Sequence, residues 1–159
     1  MSILIYFILG LLTSLLFPPY FFLPLGFIIF PFLCFLLESN KENYSDKNIF
    51  NKFSIFGFGF FISYLFWIKN PFFVFEETKN FFLVFLLLII FLSVILGLIF
   101  TIIFKLGKKI PIIILIPLMF TSSEYIISIF FYGFPWFTFS LLLSSNEYLL
   151  FSLKSFGTL

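Results

Sequence analysis

Glu124 stands out as a candidate for chemistry because it breaks the apolar run TSSEYIISIF with one carboxyl group. A carboxylate at membrane depth is costly and marks a functional site or a structural pair. The structural account is a protonated or hydrogen-bonded Glu124 supported by Thr121, Ser122 or Ser123, since no basic side chain lies in the same run. The second feature is Gly133-Phe134-Pro135-Trp136. Gly133 relaxes the backbone and Pro135 removes a donor, so a helix should end or re-enter here. Trp136 then suits the headgroup region, where its ring finds both oil and water. The adjacent pair Glu76-Glu77 can hold a cation weakly, but a solvated acidic loop is the simpler account. Acid/base work by paired carboxylates needs a pocket and displaced pKa values, and the sequence shows neither.

Missing residue types narrow the chemistry further. The chain contains no His and no Arg, which removes Ser-His and Cys-His nucleophile pairs, imidazole metal ligands and the bidentate phosphate clamp. Cys34 is the single thiol; it lies within FPFLCFLL, where a buried thiol is poorly ionised and acts as core filler. Neither a disulfide framework nor a thiolate metal site forms from one cysteine. No cofactor and no metal are expected. The LGKK stretch at Lys108 lacks the spacing and the Ser/Thr of a phosphate loop. Asn43-Tyr44-Ser45 fits a glycosylation sequon, a pattern common by chance. The net charge of +2 is too small to imply nucleic acid as a partner.

The elements that must position Glu124 and the GFPW run follow from composition. Of 159 residues, 62% are hydrophobic, 26% aromatic and 10% charged, with mean hydropathy +1.23; an ordinary soluble domain is about a quarter charged. This is the composition of an integral membrane protein. The 32 Phe residues, with Ala, Arg, His and Gln absent, read as a skew toward A/T-rich codons and not as function. The expected fold is all-α, a polytopic transmembrane helical bundle forming a single domain. Its expected spans are about 3–17, 20–37, 53–68, 81–104 and 110–131, with an interfacial or re-entrant segment over about 132–150. A polar loop, ESNKENYSDKNIFNK, separates the second and third spans, and Pro24 and Pro31 break up the second. The start is neither basic nor followed by a cleavage site, so the first span is expected to remain as an anchor. Lys41, Lys47, Lys52, Lys105, Lys108 and Lys109 share one side, against Lys69, Lys79 and Lys154 on the other. That bias places the N-terminus in the cytoplasm. Small residues recur every fourth position, as Gly10 and Ser14, Gly59 and Ser63, and Ser93, Gly97 and Thr101. Such stripes allow close helix packing in lipid.

The ordered motifs resemble one family. Glu124 followed after twelve positions by the Trp of GFPW is similar to the E-W-L-R and G-F-P-W stretch of apolipoprotein N-acyltransferases. FPPYFFLPLGFIIFPF resembles that family's Phe/Pro-rich second-helix region, GFGFFISYLFWI its third helix, and SLKSFGTL the start of the segment entering its next helix. The chain departs from the pattern at Tyr125, where the family usually has Trp, and at Ile127, where it usually has Arg; that Arg is the expected partner of Glu124. The resemblance covers nearly all of the chain and about the first third of a full-length member.

It implies the membrane domain of a multi-pass enzyme of the bacterial inner membrane. That enzyme moves an acyl chain from phospholipid to the N-terminal cysteine of a lipoprotein. The implied partners are membrane phospholipid, the lipoprotein substrate and a nitrilase-like catalytic domain or separate nitrilase-like chain with a Glu-Lys-Cys set. No residue here matches that set, so no catalytic residue is assigned and these residues alone are expected to be inactive. Glu124, Gly133, Phe134, Pro135 and Trp136 are the candidate lipid-edge residues. The competing expectations are a stand-alone small membrane scaffold or permease subunit without acyl chemistry, and an acyltransferase fragment left by gene decay.

Overall fold

The computed structural model describes residues 3–39, 45–134, 136–146 and 151. Among them are five α-helices: α1 (Ile3–Ser14), α2 (Gly26–Glu38), α3 (Asp46–Tyr64), α4 (Phe82–Leu106) and α5 (Ile112–Phe130). The described residues contain no strand, so the fold is the expected all-α bundle. Short 3-10 turns cover Leu23–Leu25, Phe66–Phe73, Glu76–Phe81 and Phe139–Ser145.

The expected spans and the observed helices differ in length. A twelve-residue helix such as α1 rises only about 18 Å, short of the roughly 30 Å hydrocarbon core. It stops at Ser14 because Leu15–Tyr20 turn ahead of and through Pro18-Pro19. Two helical stretches, Glu76–Leu106 and Ile112–Phe130, are long and apolar enough to cross a membrane; Asp46–Tyr64 with Phe66–Phe73, bent by 50°, makes a third if taken as one crossing. Five apolar segments therefore become five helices, but the described residues supply two or three full-length spans. Pro31, expected to interrupt the second segment, sits inside α2.

The polar loop is also shorter than expected. Ser45 caps α3 by accepting a hydrogen bond from the Asn48 N–H at 3.3 Å, and Asp46 occupies the first turn, where a negative charge suits the helix N-terminus. Lys47 and Lys52, expected in the loop, are thus helical. Lys52 is buried, with its ammonium 5.5 Å from the centre of the Tyr6 ring. Asn43 and Tyr44 of the sequon, and Lys41, lie outside the described residues.

Helix α3 is central, and the small-residue stripes explain how it is held. Gly10 of α1 and Gly59 of α3 face each other so closely that a Cβ on either would strike backbone: Phe56 O and Phe60 N from Gly10, Phe7 O and Leu11 N from Gly59. Ser14 Oγ and Ser63 Oγ, one turn further on, are hydrogen-bonded at 2.7 Å. On the opposite face of α3, Gly57 lies against Ser93 of α4, and Ser54 against Gly97. Tyr6 beside Phe53 and Ser14 beside Ser63 show that α1 and α3 run parallel. Asp46 beside Lys105 and Phe53 beside Phe100 show that α4 runs back. Phe120 of α5 meets the rings of Phe30, Phe56 and Phe100, which closes α2, α3, α4 and α5 around one aromatic centre.

Candidate functional site

Glu124 lies on the inward face of α5 and is only 5% exposed. Its expected supports do not hold it. Ser123 Oγ donates to Phe120 O at 2.7 Å, following the local habit of serine in helices. The partner of Glu124 comes instead from beyond the helix: the Phe139 N–H donates to Oε2 at 3.0 Å. The second oxygen, Oε1, is buried and has no hydrogen-bond partner among the described residues. The Tyr64 phenol, at the end of α3, lies within electrostatic reach of the same carboxyl group.

This contact returns the chain into the bundle after α5. The helix ends with two crossed backbone bonds, Gly133 N–H to Ser128 O at 2.7 Å and Tyr132 N–H to Ile129 O at 3.2 Å. The pattern is that of a Schellman closure, which needs a left-handed residue just past the helix. Tyr132 (φ 55°) and Gly133 (φ 85°) both adopt that conformation, the first as a strained tyrosine and the second as a residue with no Cβ to oppose it. The end predicted from Gly133 is therefore present. Tyr132, the other residue that makes the reversal, carries no sequence signal for it.

Past the turn, Phe137 is buried against Phe60 and Phe61, and Phe139 packs on Phe120 at 4.8 Å and on Phe17 at 5.2 Å between ring centres. Trp136 contacts Phe131 at 5.1 Å and Phe134 at 5.0 Å. Its Nε1 is buried and has no partner among the described residues. Phe134 is exposed beside it; Pro135 lies outside the described residues. Glu124, Gly133, Phe134 and Trp136 thus belong to one unit, a turn with a polar tether beneath it. Residues missing from the expected site are Phe139, Tyr64 and Phe120; Phe139 acts through its backbone, which no side-chain motif announces.

The other candidates remain apart from this unit. Glu76 pairs with Lys79 at 2.5 Å in an exposed segment, as a solvated acidic loop would. Cys34 is a free, half-buried thiol on α2. No cluster of three His, Cys, Asp or Glu side chains able to hold a metal occurs among the described residues.

A family model described as apolipoprotein N-acyltransferase N-terminal domain matches residues 9–159. Neither a curated protein nor a solved structure shows a match.

Proposed function

The chain belongs to the apolipoprotein N-acyltransferase N-terminal domain family, and from that premise we propose that it is the membrane part of an enzyme that transfers an acyl chain from phospholipid to the N-terminal cysteine of lipoproteins. The match across residues 9–159 carries this reading; the tethered turn supports it. The catalytic Glu, Lys and Cys belong to a nitrilase-like domain, or to a separate chain of that kind. In an acyl-enzyme cycle that Cys forms the thioester and a fixed donor stabilises the oxyanion. The contribution of these residues is binding and placement, and alone they transfer nothing.

In this reading Glu124 pins the return segment through Phe139, so that Phe134 and Trp136 face acyl chains as a lipid edge. Trp136 Nε1 is buried beside that edge with no partner among the described residues. The protein sits in the bacterial inner membrane with its N-terminus in the cytoplasm, an orientation supported by Lys47, Lys105, Lys108 and Lys109 at one end against Lys69 and Lys79 at the other.

The test joins the chain in frame to the nitrilase-like domain of a family member and follows acyl transfer to a lipoprotein peptide in membranes. The joined protein should transfer, and residues 1–159 alone should not. Transfer by residues 1–159 alone, or none by a correctly folded joined protein, would overturn the reading. An impermeant maleimide applied to Lys79→Cys and Lys109→Cys, in a Cys34→Ser background, tests the orientation. It should label the first from outside the cell and spare the second.

A further inference from the structure

Between α3 and α4 the chain makes a hairpin of two 3-10 stretches over Phe66–Phe81, packed back on the start of α4. The backbone bends by 50° at the end of α3. Two Thr78 Oγ1 contacts, to Phe72 O at 3.0 Å and Phe75 O at 2.9 Å, fold the hairpin on itself, and the Phe73 ring docks on Phe82 of α4 at 5.7 Å. Its surface combines two incompatible sets of side chains. Phe66, Trp67, Phe73, Val74 and Phe75 are exposed, Trp67 by 61% and Phe75 by 67%. Lys69, Glu76, Glu77 and Lys79 share the same short segment, with the Lys69 ammonium 3.5 Å from the Phe66 ring centre and Lys79 paired with Glu76. Water penalises the first set at about 25 cal/mol per Å², and hydrocarbon penalises the second far more. Only the boundary between them suits both.

Helix α4 fixes where that boundary lies. No charged residue occurs between Lys79 and Lys105, and Leu83 to Phe104 rises about 32 Å, matching the roughly 30 Å hydrocarbon core. The hairpin therefore sits at one face of the membrane, with the Asp46–Lys105 pair at the other. Its exposed aromatic surface runs on into the lipid-facing residues Phe81, Leu83, Val84 and Leu87 of α4. The Gly133–Trp136 turn lies lower on the same side. Phe131 touches Phe91 and Trp136 touches Phe131, which puts Trp136 on the order of 10 Å beneath the α4 start by helical rise.

We propose that the Phe66–Phe81 hairpin is an interfacial anchor that lies along the headgroup–acyl boundary of a phospholipid leaflet, and that the Trp136 turn sits below it at acyl-chain depth. The inference is independent of acyl transfer. It keeps the exposed Glu76-Glu77 pair solvated among the headgroups and places Trp136 deeper than the headgroup position expected for it.

The chain has one tryptophan at each level, Trp67 and Trp136, so depth can be read directly. Trp136→Phe and Trp67→Phe each leave a single reporter in the full chain, reconstituted into phosphatidylcholine vesicles brominated near either the carbonyl end or the methyl end of the acyl chains. Trp67 should be quenched more by the shallow bromines and Trp136 more by the deep ones. Equal depth for the two, or a Trp67 reached only by aqueous acrylamide, would overturn the proposal. So would a Trp67 shielded from bromolipid and acrylamide alike, because protein would then cover the hairpin. Should Trp136→Phe misfold, an environment-sensitive thiol dye at Val74→Cys and at Glu77→Cys, in a Cys34→Ser background, gives the same answer. Emission should be blue-shifted at Val74→Cys relative to Glu77→Cys; water-like emission at both would overturn the anchor.

Discussion

Replacing Glu124 by Ala removes the one acceptor that the Phe139 N–H has among the described residues. A buried amide left without a partner loses about 1–3 kcal/mol, and that loss falls on the local opening that detaches the return segment. At about 1.4 kcal/mol per tenfold, exchange of the Phe139 amide with solvent should accelerate by about 5- to 150-fold. Global stability should fall by less, because the same substitution removes Oε1, a buried oxygen that has no partner among the described residues and whose burial is itself unfavourable. Glu124→Gln keeps a carbonyl oxygen in place and should leave Phe139 protection within about a factor of three of the parent, a difference under 1 kcal/mol. Hydrogen exchange by mass spectrometry on peptides covering 134–146, in detergent micelles, reads both variants. Unchanged protection in Glu124→Ala would show that the aromatic contacts of Phe137 and Phe139 hold the segment without the tether. A Gln variant as damaged as Ala would show that the site needs the carboxyl group itself and not merely an acceptor.

Gly59→Ala should lower bundle stability by about 1–3 kcal/mol, since its Cβ meets rigid backbone of α1 and forces the helices apart. Gly26→Ala, whose Cβ would find its nearest atom at 3.6 Å, should be neutral or stabilising by up to about 1 kcal/mol; thermal unfolding followed by dye capture of the Cys34 thiol compares them. A double-mutant cycle on Ser14→Ala and Ser63→Ala should return a coupling of about 0.6 kcal/mol for their hydrogen bond, measured by the same unfolding assay. At the polar end of the bundle, the Lys105 ammonium bonded to Asp46 holds that carboxyl below its usual range. A depressed folded-state pKa stabilises at neutral pH and loses that contribution as pH falls through the depressed value. Asp46→Asn should therefore melt slightly lower than the parent at neutral pH and equal to it in acid; the gap stays small because both partners are exposed.

Much of the architecture was legible because punctuation in an apolar chain is conspicuous. Pro18-Pro19, the KLGKK turn and Gly133 each fall at or just beyond a helix end, and the four-residue recurrence of Gly and Ser located the α1–α3 and α3–α4 contacts. Helix lengths were less legible. The Ser45 cap, hidden in a polar run, starts α3 earlier than hydropathy alone indicates, and α1 ends before its apolar run does. A re-entrant segment after Gly133 was expected, but what it packs against was illegible for a deeper reason. In water, a Phe-rich run identifies core; in lipid, both inside and outside favour Phe, so Phe17, fully buried, and Phe27, 85% exposed, look alike in sequence. Likewise Glu124 is conspicuous, but its partner is a backbone amide fifteen residues on, and backbone groups carry no residue-type signal.

The kinetics of acyl transfer by the joined protein, with phospholipid as the varied substrate, test the lipid-edge role most directly. Trp136→Ala should raise the phospholipid KM with a smaller change in kcat, because it removes a binding surface and no reacting group. Glu124→Ala should follow it in the same direction, with Glu124→Gln close to the parent. Parent-like kinetics in a folded Trp136→Ala protein would contradict the account.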